Sequence, residues 1–119
     1  MKHVLIVDDD PDHAHFVAEV ARRMGLTTVV AHSGEAAVNS ARLASFDLAL
    51  LDLQMPGMDG VETLGHLRSL GFTGTAVAVT GASWGEAIFQ AAQRQFDRIL
   101  LKPLTLTALG GALARSREG

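Results

Sequence analysis

No cysteine occurs anywhere in the sequence, which excludes a disulfide framework and any thiolate site and makes a reducing, cytoplasmic setting the expectation. Long apolar runs are missing too. Met1-Lys2-His3 leads into only four apolar residues, too few for a signal-peptide core, and no stretch approaches the ~20 residues of a membrane-spanning helix. There is neither a block of like charge nor a low-complexity stretch, and 48% of residues are apolar, unlike the composition of a disordered chain. The mild formal net charge of -3 argues against a nucleic-acid-binding surface. A length of 119 residues suits one compact domain, residues 1–119, with no linker to a second.

Five short apolar runs punctuate the chain: Val4–Val7, Thr27–Ala31, Leu48–Leu51, Thr75–Val79 and Ile99–Leu101. Four of them are dense in Val, Ile or Leu without polar alternation, as in strands buried on both faces. The segments between them have helical character. Phe16, Val17, Val20, Ala21 and Met24 follow i, i+3/i+4 spacing, with Arg22 and Arg23 facing away. Asp10-Pro11 reads as an N-cap followed by proline at the first helical position, and Gly25 as a stop. Ser33 can cap a second helix, and Asp59 with Glu62 and Ser83 with Glu86 resemble capping boxes for a third and a fourth. A fifth helix, from about Thr105 to Arg115, contains Gly110-Gly111, so it is expected to be soft or to pack closely there. Repeated strand–helix alternation predicts a doubly wound α/β fold with a five-stranded parallel sheet and helices on both faces.

Charge collects behind the runs. Val4–Val7 leads into Asp8-Asp9, Leu48–Leu51 into Asp52, and Ile99–Leu101 into Lys102-Pro103. Parallel strands deliver their last residues to one sheet edge, so these groups should meet in one crevice. Asp8-Asp9 either binds a divalent cation such as Mg²⁺, which takes oxygen ligands, or decorates a helix N-terminus. Asp52 is a turn residue or, beside Mg²⁺, a nucleophile toward phosphorus. Thr80 is a β-former at a strand end or a hydroxyl donor to a phosphoryl oxygen, with Gly81 leaving room. Lys102 is a surface lysine or a counter-ion buried among the acids, and its place between Leu101 and Pro103 favours burial.

The set Asp8-Asp9, Asp52, Thr80 and Lys102-Pro103, with the loop Asp52-Leu53-Gln54-Met55-Pro56-Gly57-Met58-Asp59-Gly60, resembles the receiver domain of two-component response regulators over essentially the whole chain. That resemblance implies a flavodoxin-like sheet of order 2-1-3-4-5 and makes Asp52 the phosphoacceptor, supplied by a histidine kinase or histidine phosphotransfer protein. Asp9 would bind Mg²⁺ directly and Asp8 mostly through water, together with Asp52 and the Gln54 backbone carbonyl. Thr80 and Lys102 would contact the phosphoryl oxygens, and the Lys102–Pro103 bond would be cis. Phosphorylation would switch contacts with a downstream output protein or domain. No enzyme turnover is expected beyond self-phosphorylation and autodephosphorylation, and no contact with nucleic acid or membrane. The protein would be a monomer or weak dimer, either standing alone or forming part of a longer hybrid kinase or regulator.

Three departures from the family pattern bear on output. Ile99 stands where relatives often carry an aromatic residue three positions before the lysine, so a Thr–aromatic relay cannot operate in its familiar form. Gln95-Phe96 replaces a common Gly-Ala pair, and Gly81 a small Ala. Trp84 is expected to open the fourth helix as a partly exposed ring, and the five histidines are read as scattered, without a functional role. Rival readings are a receiver-like interaction module that is never phosphorylated, an aspartyl-nucleophile phosphatase and a flavodoxin-like cofactor binder. The phosphatase lacks a second acid, since Gln54 stands two residues after Asp52. The cofactor binder lacks a Ser/Thr/Gly-rich phosphate loop after the first strand.

Overall fold

Five strands alternate with five helices across residues 2–114, the part of the chain described by the computed structural model. In chain order these are β1 His3–Val7, α1 Pro11–Arg23, β2 Thr27–Ala31, α2 Gly34–Leu43, β3 Leu48–Asp52, α3 Gly60–Ser69, β4 Thr75–Thr80, α4 Ala87–Gln95, β5 Arg98–Leu101 and α5 Leu106–Ala114. All neighbouring strands are parallel, in the order β2-β1-β3-β4-β5. Each expected apolar run lies within its strand. Among the described residues no helix is long and apolar enough to cross a membrane.

Alternation along the strands sends side chains to two cores. Leu5, Val7, Ala49, Leu51, Ala76 and Ala78 pack with Ala37, Leu64, Leu67 and Ala92 from α2, α3 and α4. Val4, Ile6, Leu48, Leu50, Val77 and Val79 pack with Val17, Ala18, Ala21, Leu109 and Leu113 from α1 and α5. Covering both faces explains why β3 and β4 are apolar almost throughout. β5 is an edge strand, and accordingly only Leu100 in it is buried while Leu101 is exposed. The buried stripe of α1 is Ala14, Val17, Ala18 and Ala21, whereas Phe16 and Met24 are 37% and 42% exposed. Small residues let this helix approach the sheet, so the seam follows the alanines rather than the largest apolar side chains.

The helix starts follow local chemistry. Asp10 accepts the Asp12 and His13 N–H groups ahead of α1, with Pro11 at its first position. Ser33 accepts the Ala36 N–H, and Asp59 and Glu62 form both halves of a capping box. At the end of α1, Gly25 adopts a φ of +85° that other residues rarely take.

The fourth helix differs from expectation. It begins at Ala87, because Ser83 and Glu86 close a turn instead: Ser83 N–H donates to the Glu86 carboxylate at 2.7 Å, and Glu86 N–H to the Ser83 carbonyl at 3.0 Å. Only the reverse half of the box is made. Trp84 therefore sits in that turn, 68% exposed, its ring 4.9 Å from that of Phe89. The fifth helix is capped by the Thr105 hydroxyl, which accepts the Ala108 N–H. Arg115, expected near its end, lies outside the described residues. A Cβ at Gly110 or Gly111 would meet no described atom within 4 Å, so close packing does not account for these glycines.

Candidate functional site

Sheet register brings the site together. Val7 pairs with Leu51, Asp52 with Val79, and Thr80 with Leu101. Asp8, Asp52, Thr80 and Lys102 therefore sit at or one residue beyond neighbouring strand ends on the C-terminal edge of the sheet, the usual ligand edge of doubly wound folds. The chain continues to pair just past the strands. Asp8 N–H donates to the Ala31 carbonyl, Leu53 N–H to Val79 and Lys102 N–H to Thr80, at 2.9–3.1 Å. Gly60 lets the start of α3 fold back on this edge, since a Cβ there would lie 2.5 Å from the Asp52 carbonyl oxygen.

Asp8, Asp9 and Asp52 each offer a carboxylate oxygen within 4.8 Å of the others. Asp8 and Asp52 are buried, 3% and 5% exposed, and Asp9 is open to solvent. The Lys102 ammonium lies 3.2 Å from Asp52 Oδ2, and the Gln54 N–H donates to Asp52 Oδ1 at 3.2 Å. Burial pushes the Asp52 carboxyl above its ordinary range, and the negative charge of Asp8 adds to this. The Lys102 charge and hydrogen bond, with the Gln54 N–H, pull it back in part, and the balance stays upward.

Lys102 departs from the expectation of burial: its side chain is 34% exposed, and only the ammonium turns inward. The Lys102–Pro103 peptide is cis. Thr80 is fully buried, and its hydroxyl accepts the Ala82 N–H at 2.9 Å, an arrangement that leaves the hydroxyl proton for another acceptor. A Cβ at Gly81 would meet no described atom within 4 Å, so the space beside Thr80 is open as anticipated. Ile99 is half-buried against the core that contains Phe96 and Ala78.

Two histidines reach the site that sequence reasoning treated as scattered. His13 Nδ1 is hydrogen-bonded to Asp8 Oδ2, and His32 Nδ1 to the Asp8 carbonyl oxygen at 3.0 Å. His13 is the third residue of α1, a helix that begins three residues after Asp8. That proximity to the acidic pair was the available signal. His32 comes from the turn after β2, and only the β1–β2 pairing reveals its place.

The donors suit Mg²⁺: three carboxylates, with no sulfur or ring nitrogen in the cluster, match a hard cation that binds one or two carboxylates and keeps several waters.

Residues 4–114 match the response regulator receiver domain family. The sensor histidine kinase RcsC of Salmonella typhi is 33% identical over 111 residues, covering 93% of this chain but only 12% of that protein. The structure of chemotaxis protein CheY4 of Vibrio cholerae superposes with a TM-score of 0.87 at 28% identity, covering 97% of this chain and 98% of the other. The response regulator TrrA of Thermotoga maritima, solved in complex with Mg(2+)-BeF, superposes with a TM-score of 0.81 at 26% identity, covering 96% and 97%. The chain is thus similar to a small part of its kinase relative and to nearly the whole of the small regulators. It belongs to the response regulator receiver domain family of two-component signal transduction.

Proposed function

We propose that Asp52 is the phosphoacceptor, that Mg²⁺ binds at Asp8, Asp9, Asp52 and the Gln54 backbone carbonyl, and that Thr80 and Lys102 bind the phosphoryl oxygens. The observation that carries this reading is the Lys102 ammonium 3.2 Å from a buried Asp52 carboxylate whose nearest charged neighbours on the other side are acids. Similarity to TrrA, which was solved with Mg(2+)-BeF, supports the choice of ion.

In this mechanism an Asp52 carboxylate oxygen attacks phosphorus in line, and the N–P bond of a phosphohistidine donor breaks with its electron pair passing to the imidazole. The phosphoryl group thereby becomes an acyl phosphate on Asp52. Mg²⁺ held by Asp8, Asp9, Asp52 and the Gln54 carbonyl would supply positive charge to offset the negative charge of the transferring group. Lys102 exchanges its contact with Asp52 for one with a phosphoryl oxygen, and Thr80 donates its free hydroxyl proton to another. The open space over Gly81 admits the incoming group. Drawing Thr80 and Lys102 toward it moves the loops after β4 and β5, which biases a two-state equilibrium in those loops. Output then passes to a downstream protein or domain without an aromatic at position 99. The donor is a histidine kinase or histidine phosphotransfer protein in the cytoplasm, and the chain works as a single receiver unit.

A phosphatase is disfavoured by Gln54, whose carboxamide cannot protonate a leaving group or activate water as an acid two residues after Asp52 would. The test is incubation with acetyl phosphate and Mg²⁺ followed by intact-mass spectrometry. Wild type gains one phosphoryl group and Asp52→Asn gains none. Equal labelling of both would remove Asp52 from the role, and no labelling of either would favour the interaction module.

A further inference from the structure

Both polar ends of Asp8 are held by histidines. Its backbone carbonyl accepts from His32 Nδ1 at 3.0 Å, and its side-chain Oδ2 from His13 Nδ1. Carbonyl and carboxylate oxygens only accept, so in each pair the ring nitrogen donates. Asp8 Oδ1 takes the Asp10 N–H at 2.9 Å. The carboxylate thus has a fixed backbone donor on one oxygen and a side-chain donor on the other.

The His13 ring is not needed to build α1. The cap is supplied by Asp10, which accepts the backbone N–H groups of Asp12 and His13. The ring is part-exposed, its side chain 21% accessible, and it lies outside the cluster of mutually close carboxylates. It approaches Asp8 from the α1 side, on the oxygen that would otherwise be unconstrained.

We propose that His13 is a positioning residue for the metal site, holding the Asp8 carboxylate turned toward Asp9 and Asp52. This rests on reading the acidic pocket as a Mg²⁺ site. Outer partners that orient a ligating carboxylate typically raise metal affinity about 10–100-fold. Without the His13 donor, Asp8 keeps one hydrogen bond and can rotate away, so each binding event must order it again.

The experiment is an NMR titration of backbone amides with MgCl₂ on the full chain, comparing wild type with His13→Leu, His13→Asn and Asp9→Asn. His13→Leu should weaken Mg²⁺ binding about tenfold. His13→Asn, whose amide nitrogen can stand where ring Nδ1 stands, should recover most of that loss. His13→Leu should also lower the unfolding midpoint without Mg²⁺, because the buried Asp8 carboxylate loses a donor, so Mg²⁺ affinity is compared on fully folded protein. Equal or tighter binding by His13→Leu would overturn the proposal, as would His13→Asn binding no better than His13→Leu. If His13→Leu does not fold, His13→Gln, whose nitrogen matches the other ring nitrogen, takes its place with the same two outcomes. Absence of saturable Mg²⁺ binding in wild type, or unchanged binding in Asp9→Asn, would instead overturn the metal reading and this inference with it.

Discussion

The Lys102 ammonium stands 3.2 Å from Asp52 Oδ2, joining the ends of β5 and β3 across the intervening β4. After burial, the Lys102 charge is the largest influence on the Asp52 carboxyl, and it acts downward. Lys102→Met should therefore raise the Asp52 pKa further. It should also destabilise the fold at neutral pH by about 1–2 kcal/mol, less than the 3–5 typical of a fully buried pair, because water screens the part-exposed lysine. A ¹³C titration of the Asp52 carboxyl with urea unfolding at pH 7 measures both. A carboxyl titrating lower in the variant would contradict the pairing.

Stability should depend on pH through the same residue. The folded state holds the Asp52 proton more tightly than the unfolded chain does, where the carboxyl titrates near 3.8. Ionised Asp52 therefore costs stability once pH exceeds the folded value, and the cost fades as pH falls toward 3.8. Without divalent cations, Asp52→Asn should be more stable than wild type at pH 7, with the gap closing in acid. Adding Mg²⁺ should stabilise wild type and leave the variant nearly unchanged. Urea unfolding at pH 4 and pH 7, with and without MgCl₂, decides this. A gap that widens in acid would give the shift the opposite sign.

What was legible in the sequence is what neighbouring residues decide among themselves. Asp10-Pro11, Ser33 and Asp59 with Glu62 cap helices through contacts within three residues, and the apolar runs announce strands covered on both faces. Converging charges at strand ends followed from parallel pairing alone, so the acidic cluster and Lys102 were within reach. Ser83 with Glu86 misled because the same spacing closes an isolated turn as readily as it starts a helix. The exposure of Lys102 and the seam of α1 were hidden because each depends on how closely one element approaches another. His32 beside Asp8 required knowing that β2 pairs with β1.

Gly110 and Gly111 offer a direct gain in stability. Each lies inside α5, where glycine is about 1 kcal/mol less favourable than alanine, and neither position has a described atom that a Cβ would strike. Gly110→Ala should raise the unfolding midpoint by about 4 °C, the shift that ~1 kcal/mol produces in a domain of this size. Differential scanning calorimetry would check it. A lowered midpoint would mean that the helix packs more tightly there than its surroundings indicate.

Gly60 is the opposite case. It opens α3 directly against the strand that carries Asp52, and an added Cβ would lie 2.5 Å from the Asp52 carbonyl oxygen and 2.9 Å from Leu53 Cα. Both are backbone atoms at a sheet edge, so relief requires moving the chain rather than rotating a side chain. The Gly60 N–H also donates to the Leu53 carbonyl at 2.9 Å, which ties the helix start to the residue after Asp52. Gly60→Ala should cost about 1–3 kcal/mol of stability, as overpacking usually does. It should also move the Asp52 carboxylate relative to Lys102, so phosphorylation by acetyl phosphate slows by more than the loss of folded protein explains. Normalising the rate to the folded fraction from urea unfolding separates the two effects. A normalised rate equal to wild type would show that α3 can shift away and leave Asp52 in place.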